Sequence, residues 1–230
     1  MLQPLSSANA VCSLKMISTA PFNARELDAR IRALAAEQCW PEVIAAVESV
    51  SADAPVSSAT AAAAYKAHSA AGNAAAAEEW LDRALQLASD NSTLHRNKGV
   101  IHQRRGEWPQ ATACFEQAVA LRPGVAAYRG SLATALFHTA RYADAVEQYR
   151  AGLAIDPAQR AWWLRLARSL IHLNELNDAA DAYAKALSLK DDHPTRSARD
   201  ELLRQIRSGS RAASSAYYDA VFADSPKYNQ

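Results

Sequence analysis

A 34-residue beat organises this chain. Gly72 and Gly106 stand one beat apart, Pro123 and Pro157 one, Pro55 and Pro123 two. Small residues keep the same time: Ala77, Ala111, Ala145 and Ala179 form one series, and Ala84, Ala118, Gly152 and Ala186 another. Such spacing means one small unit copied in tandem. No unit of this size can bury an apolar face alone, so each must stack on its neighbours. Arrays of this kind mainly hold partners.

Starts at residues 24, 58, 92, 126 and 160 give five units without insertion: 24–57, 58–91, 92–125, 126–159 and 160–193. Hydrophobic residues make up 50% of the chain but aromatics only 7%, and the difference is largely alanine. Alanine favours helix and lets backbones approach. With Gly 7 and Pro 9, few residues are available for turns. The predicted fold class is therefore all-α. Units three and four split into two helices around Arg105-Gly106-Glu107 or Ala140-Arg141. In unit four Ala145, Tyr149, Gly152, Leu153 and Ile155 read as an apolar stripe, with Asp144 and Glu147 opposite. In unit three the small Gly99, Ala111 and Ala118 bring helix axes together, while Trp108, Phe115 and Leu121 fill the gaps. Pro123 and Pro157 close their units, since proline disfavours helix just before it.

The pattern resembles the tetratricopeptide repeat family. The small positions are Gly99, Ala111 and Ala118, then Ala133, Ala145 and Gly152, then Ala167, Ala179 and Ala186. The large ones are Trp108 and Phe115, Tyr142 and Tyr149, Leu176 and Tyr183. The resemblance covers 58–193 and implies a right-handed α-solenoid of helix-turn-helix repeats. Segment 24–57 is a degenerate first repeat: Ile31, Val43 and Val50 replace small residues and Gln38 the turn glycine, yet Trp40-Pro41 echoes Trp108-Pro109. Residues 1–23 read as a disordered leader. Residues 194–207 read as a capping helix with Leu202, Leu203 and Ile206 on one face. Residues 208–230 read as a linker followed by an aromatic helix carrying Tyr217, Tyr218, Val221 and Phe222. That tail is similar to the lead-in of some S-adenosylmethionine-dependent methyltransferase domains. The similarity implies an alternative role for the chain, as docking module of a larger or truncated transferase.

In the resembling family the first helices line a groove. The resemblance places Arg32, Lys66, Arg96, Asn97, Gln103, Arg104, Thr134, His138, Arg165, Arg168 and His172 there, with Asp28 the sole acid. Second helices carry Glu78, Glu79, Asp82, Glu116, Asp144, Glu147, Asp178 and Asp181. A chain of net charge +1 thus separates its charge into a basic and an acidic side. The expected ligand is an acidic peptide, because arginine forks take carboxylates in bidentate fashion. Some relatives clamp a C-terminal carboxylate with Lys and Asn at set positions. Here Arg96 and Arg165 stand at two of those positions, but Val100 and Ser131 replace two asparagines and Ala161 a lysine, which argues against that mode.

Other function classes lack support in the sequence. The near-zero net charge gives no pull toward nucleic acid or membrane, and no apolar run approaches a membrane span. Phosphate-binding, metalloprotease and serine-hydrolase motifs are absent, so no enzyme activity and no cofactor are expected. Six scattered histidines form no ligand set for a metal. Cys12, Cys39 and Cys114 are far apart and odd in number, which predicts reduced thiols and a cytoplasmic protein. Open array ends leave homo-oligomerisation available.

Overall fold

The computed structural model describes residues 24–49 and 55–208. The expected leader, and the tail from residue 209 onward, lie outside them. The described residues form eleven α-helices and no strand. In order these are α1 (Ala24–Ala36), α2 (Trp40–Glu48), α3 (Ser58–Ala70), α4 (Ala74–Leu87), α5 (Ser92–Arg104), α6 (Trp108–Leu121), α7 (Ala126–His138), α8 (Tyr142–Ile155), α9 (Arg160–His172), α10 (Leu176–Leu189) and α11 (His193–Ser208). Adjacent helices pack in pairs, and the fold class is the α-solenoid predicted from the sequence. Two compact units part between Leu94 and His95.

One backbone device makes every hairpin. Gln38 (φ 57°), Gly72 (78°), Gly106 (73°), Ala140 (58°) and Asn174 (60°) are left-handed, and each lies 34 residues from the next. The amide one residue later donates to a carbonyl five residues back: Cys39 to Leu34, Asn73 to His68, Glu107 to His102, Arg141 to Leu136 and Glu175 to Leu170, all at 2.9 Å. The left-handed residue itself donates three back, as Ala140 does to Phe137 at 3.1 Å. This is the Schellman arrangement, which satisfies the last carbonyls of the first helix and turns the chain directly into the second. Trp40-Pro41 and Trp108-Pro109 then start α2 and α6, with proline where an amide would go unused.

In the second unit the recurring positions are the core. Phe115, Tyr149 and Tyr183 are fully buried, as are Ala111, Ala145 and Ala179, and Ala118 and Ala186. Small residues set the approach distance. A Cβ on Gly99 would fall 2.6 Å from the Phe115 ring, and one on Gly130 only 2.3 Å from that of Trp162. The stripe on α8 holds for Ala145, Tyr149, Gly152 and Leu153 but not for Ile155, which is exposed. Ile155 stands three residues after Gly152, about 60° beyond that edge of the stripe at 100° per residue. Leu121 occupies the same place in α6 and is also exposed, so it does not fill the gap expected of it.

The final helix is stapled by a polar cluster. Asp192 caps it by accepting from the Thr195 amide at 3.0 Å. The Arg160 guanidinium donates both to Asp192 and to the Thr195 hydroxyl, the latter at 2.8 Å. The packed face of α11 runs through Thr195, Ala198, Leu202 and the partly buried Ile206, whereas Leu203 turns outward. Spacings of three and four residues keep a helix face, and Leu203 follows Leu202 by only one.

In the first unit the bulky substitutes for small residues, Ile31 and Val43, are fully buried with Leu27, Leu34 and Val47. Asp28 accepts from the hydroxyls of Thr60 and Ser57, the latter at 2.9 Å, and Ser57 caps α3. Burial would raise the Asp28 carboxyl, but these hydroxyl bonds outweigh it and leave it below its ordinary value. Cys39 is buried and disulfide-bonded, which corrects the expectation of three reduced thiols and removes the argument for a reducing compartment; Cys114 is free.

The turns yield a paired expectation. Ala140→Gly relieves a left-handed alanine and should raise stability by about 0.5–1 kcal/mol. Gly106 has nothing within 4 Å of an added Cβ, so Gly106→Val should lower stability, by about 1–2 kcal/mol, through the backbone alone. Urea denaturation of the two variants checks both signs.

Candidate functional site

The first helices α7 and α9 bring five of the predicted groove residues into one cluster: Thr134, His138, Arg165, Arg168 and His172. The cluster is built by repeat register. His138, last in α7, stacks on Trp108, first in α6, with ring centroids 3.8 Å apart and planes 9° from parallel. One repeat later His172 stacks on Tyr142 at 4.0 Å and 2°. Phe137 lies between the stacks, edge-on to His138 at 5.7 Å, to Tyr142 at 5.5 Å and to His172 at 5.8 Å. The Arg168 guanidinium caps the Phe137 ring at 4.9 Å, a cation–π distance.

Beneath this layer is a polar network. The Thr134 hydroxyl donates to the Gly130 carbonyl at 2.8 Å and accepts from Arg165 Nη1 at 2.8 Å. Its proton is thus spent on Gly130, so the buried Tyr149 hydroxyl, 3.1 Å away, must be the donor to it. Arg165 is anchored from below and half-buried, with Arg168 one turn along the same helix. Thr134 is itself 5% exposed, so its hydroxyl serves the scaffold. Burial lifts the Tyr149 phenol above its ordinary value, against the lowering effect of Arg165 and the Thr134 bond.

His138 responds to the same surroundings. Burial of its ring comes first, then the charges of Arg165 and Arg168, and together they push it down to about 4. The residue as a whole is solvent-exposed, so only part of the ring is withdrawn from water. The charges acting on it are both positive, so at neutral pH the cluster is a neutral imidazole between aromatic faces, flanked by two guanidiniums.

The other predicted residues lie elsewhere. Arg32 and Lys66 are exposed on α1 and α3 in the first unit, and Arg32 Nε donates to the Asp28 carbonyl at 3.2 Å. Arg96, Asn97 and Gln103 are half-buried on α5 and Arg104 is exposed. His102, seven residues after His95, is held by Glu107 at 2.6 Å. Among the described residues no group of three or more His, Cys, Asp or Glu side chains is placed to hold a metal ion. Nor is any helix long and apolar enough to cross a membrane. Sequence reading missed Phe137, Trp108 and Tyr142 as members of the site. A usable signal was present, since Trp108–His138 and Tyr142–His172 share one spacing of 30 residues.

Residues 96–160 and 139–194 match the tetratricopeptide repeat family model. A structure of MamA from AMB-1 superposes with a TM-score of 0.66 at 19% identity, covering 74% of this chain and 93% of that one. MamA from MSR-1 gives 0.62 at 19%, covering 72% and 95%. At such identity the likeness concerns the fold. The protein STIP1 homolog of Dictyostelium discoideum is 43% identical over 42 residues, 18% of this chain and 7% of that protein, so the match spans a small part of its length. Residues 96–194, somewhat less than half of the chain, are thus similar to tetratricopeptide repeats. None of these matches supports the methyltransferase resemblance of the tail.

Two expectations follow from the network. Thr134→Val removes the acceptor for Tyr149 and Arg165 while keeping the shape, and should cost about 1–3 kcal/mol in chemical denaturation, whereas Thr134→Ser should cost less. The second concerns pH. His138 binds protons more readily unfolded than folded, so its contribution to stability is intact above an unfolded value of about 6.5 and is lost as pH falls toward 4. In His138→Gln this part of the acid-side decline should be gone, as thermal melts between pH 4 and 7 can read.

Proposed function

We propose that this chain is a protein-interaction scaffold that holds an acidic peptide segment against the first-helix face of α7 and α9. The observation that carries the reading is the cluster of Arg165 and Arg168 around a neutral His138, on a face where only positive charge acts on that imidazole. Second-helix acids, by contrast, are engaged by arginines of their own surface: Arg141 pairs with Glu116 at 3.2 Å and Asp144 at 2.7 Å, and Arg150 with Asp178 at 2.5 Å. Three of the second-helix acids are thus paired with arginines of the same surface. Repeat architecture supports the same reading, since stacked hairpins offer extended surfaces suited to another chain. MamA shares the fold without fixing the partner.

Arginine forks give a carboxylate two parallel charge-assisted bonds, and the Phe137 ring offers apolar contact beside them. An acidic segment with interspersed apolar residues matches both features. A capped Glu/Leu peptide should bind at least tenfold tighter than its Gln/Leu counterpart at low salt, and the difference should shrink as salt rises. Arg168→Glu, which leaves the Arg165–Thr134 bond in place, should abolish the preference. Equal affinity for the two peptides in fluorescence anisotropy would remove the acidic specificity.

A further inference from the structure

The cluster holds an ionisable ring where a ligand charge would land, and this bears on how binding depends on pH. We propose that the junction of α7 and α9 is a proton-coupled carboxylate site: an acidic side chain of the bound peptide pairs with Arg165 and Arg168, and His138 takes up a proton as it arrives. The inference rests on the acidic-peptide reading and deepens it.

The geometry gives the coupling its direction. His138 is fixed by its stack on Trp108, 3.8 Å away and nearly parallel, with the Phe137 edge on its other flank. It cannot swing away from the guanidiniums without breaking that stack. Arg168 is held over Phe137 and Arg165 is tied to Thr134, so the two charges are positioned as well. Groups facing the imidazole are thus Trp108 from α6, Phe137 from α7 itself, and Arg165 and Arg168 from α9; the charges acting on it are the two arginines. A carboxylate placed between the guanidiniums offsets the repulsion that disfavours imidazolium. It also gives the protonated ring an anionic neighbour, which favours the charged form. An aromatic face stacked on an imidazole prefers that ring cationic, so Trp108 acts in the same direction once the ring is charged. Linkage requires the converse: if the peptide promotes protonation, protonation tightens the peptide.

The source of the carboxylate is a side chain. Val100, Ser131 and Ala161 bring no Asn or Lys to three of the positions where relatives grip a chain terminus, which leaves only Arg96 and Arg165 there. A single acidic side chain needs only the two arginines and the ring beside them.

The test is calorimetric titration of the full chain with an acetylated, amidated Glu/Leu peptide and with its Gln/Leu counterpart. Each is run at pH 7.0 and 5.5 in two buffers of different ionisation enthalpy, so that proton uptake is read directly. The expected result is uptake of a fraction of a proton and at least about twofold tighter Glu/Leu binding at pH 5.5 than at pH 7.0, as the arriving carboxylate raises His138 from its depressed value. In His138→Gln, whatever its affinity, proton uptake and the pH dependence of binding should both be gone; this separates a titrating ring from a merely packing one. Binding with no uptake, or uptake that persists in His138→Gln, overturns the proton-coupled site and leaves the acidic-peptide reading standing. No preference for Glu/Leu over Gln/Leu at either pH overturns both.

Discussion

A single left-handed residue per hairpin sets the rest of this structure in place. It lets the chain reverse in one residue, aims the following amide at a carbonyl five back, and starts the second helix at a fixed phase. Phase is what repeats. When every hairpin begins its second helix at the same angle, Phe115, Tyr149 and Tyr183 arrive at equivalent depths. The small residues then face them without any further instruction. Glycine supplies the conformation at low cost in two hairpins, while glutamine, alanine and asparagine adopt it in the others. The packing on either side must therefore hold glutamine and alanine in a state they would not choose alone, whereas asparagine tolerates it.

The same register builds the candidate site. Histidine at the end of a first helix meets the aromatic that opened the preceding second helix, once at Trp108 and again at Tyr142. No long-range folding event is needed to bring the site together, since each contact joins neighbouring hairpins. Arg165 then reaches into the network of the hairpin before it, through Thr134. Scaffold and binding surface share atoms here: Thr134 serves Tyr149 below and Arg165 above.

Much of the fold was legible because periodicity is a global signal. Gly72 and Gly106 announced the turn, and the turns at Gln38, Ala140 and Asn174 are invisible as residue types but fall on the same beat. What sequence could not settle was which member of an apolar run faces inward. Ile155, Leu121 and Leu203 look like core residues by type, yet helical phase turns them to solvent. The basic side chains of the site were legible as a pattern of charge. Their aromatic setting was not, because Phe137 and Trp108 look like ordinary packing residues until adjacent hairpins place them beside histidines. The depressed ionisation of His138 likewise needs the location of Arg165 and Arg168, which a linear sequence separates by 27 and 30 residues. Cys39 went the other way: counting thiols gave no hint that it is bonded.

Amide hydrogen exchange tests the hairpin account most directly. The amides of Cys39, Asn73, Glu107, Arg141 and Glu175 should all be protected despite lying just past a helix end, because each donates across five residues at 2.9 Å. Protection should appear at every one of the five, including Cys39, Arg141 and Glu175, where no glycine precedes them. Exchange at open-loop rates at those three, with protection only at Asn73 and Glu107, would show that glycine alone makes the turn and would break the common register on which core and site depend.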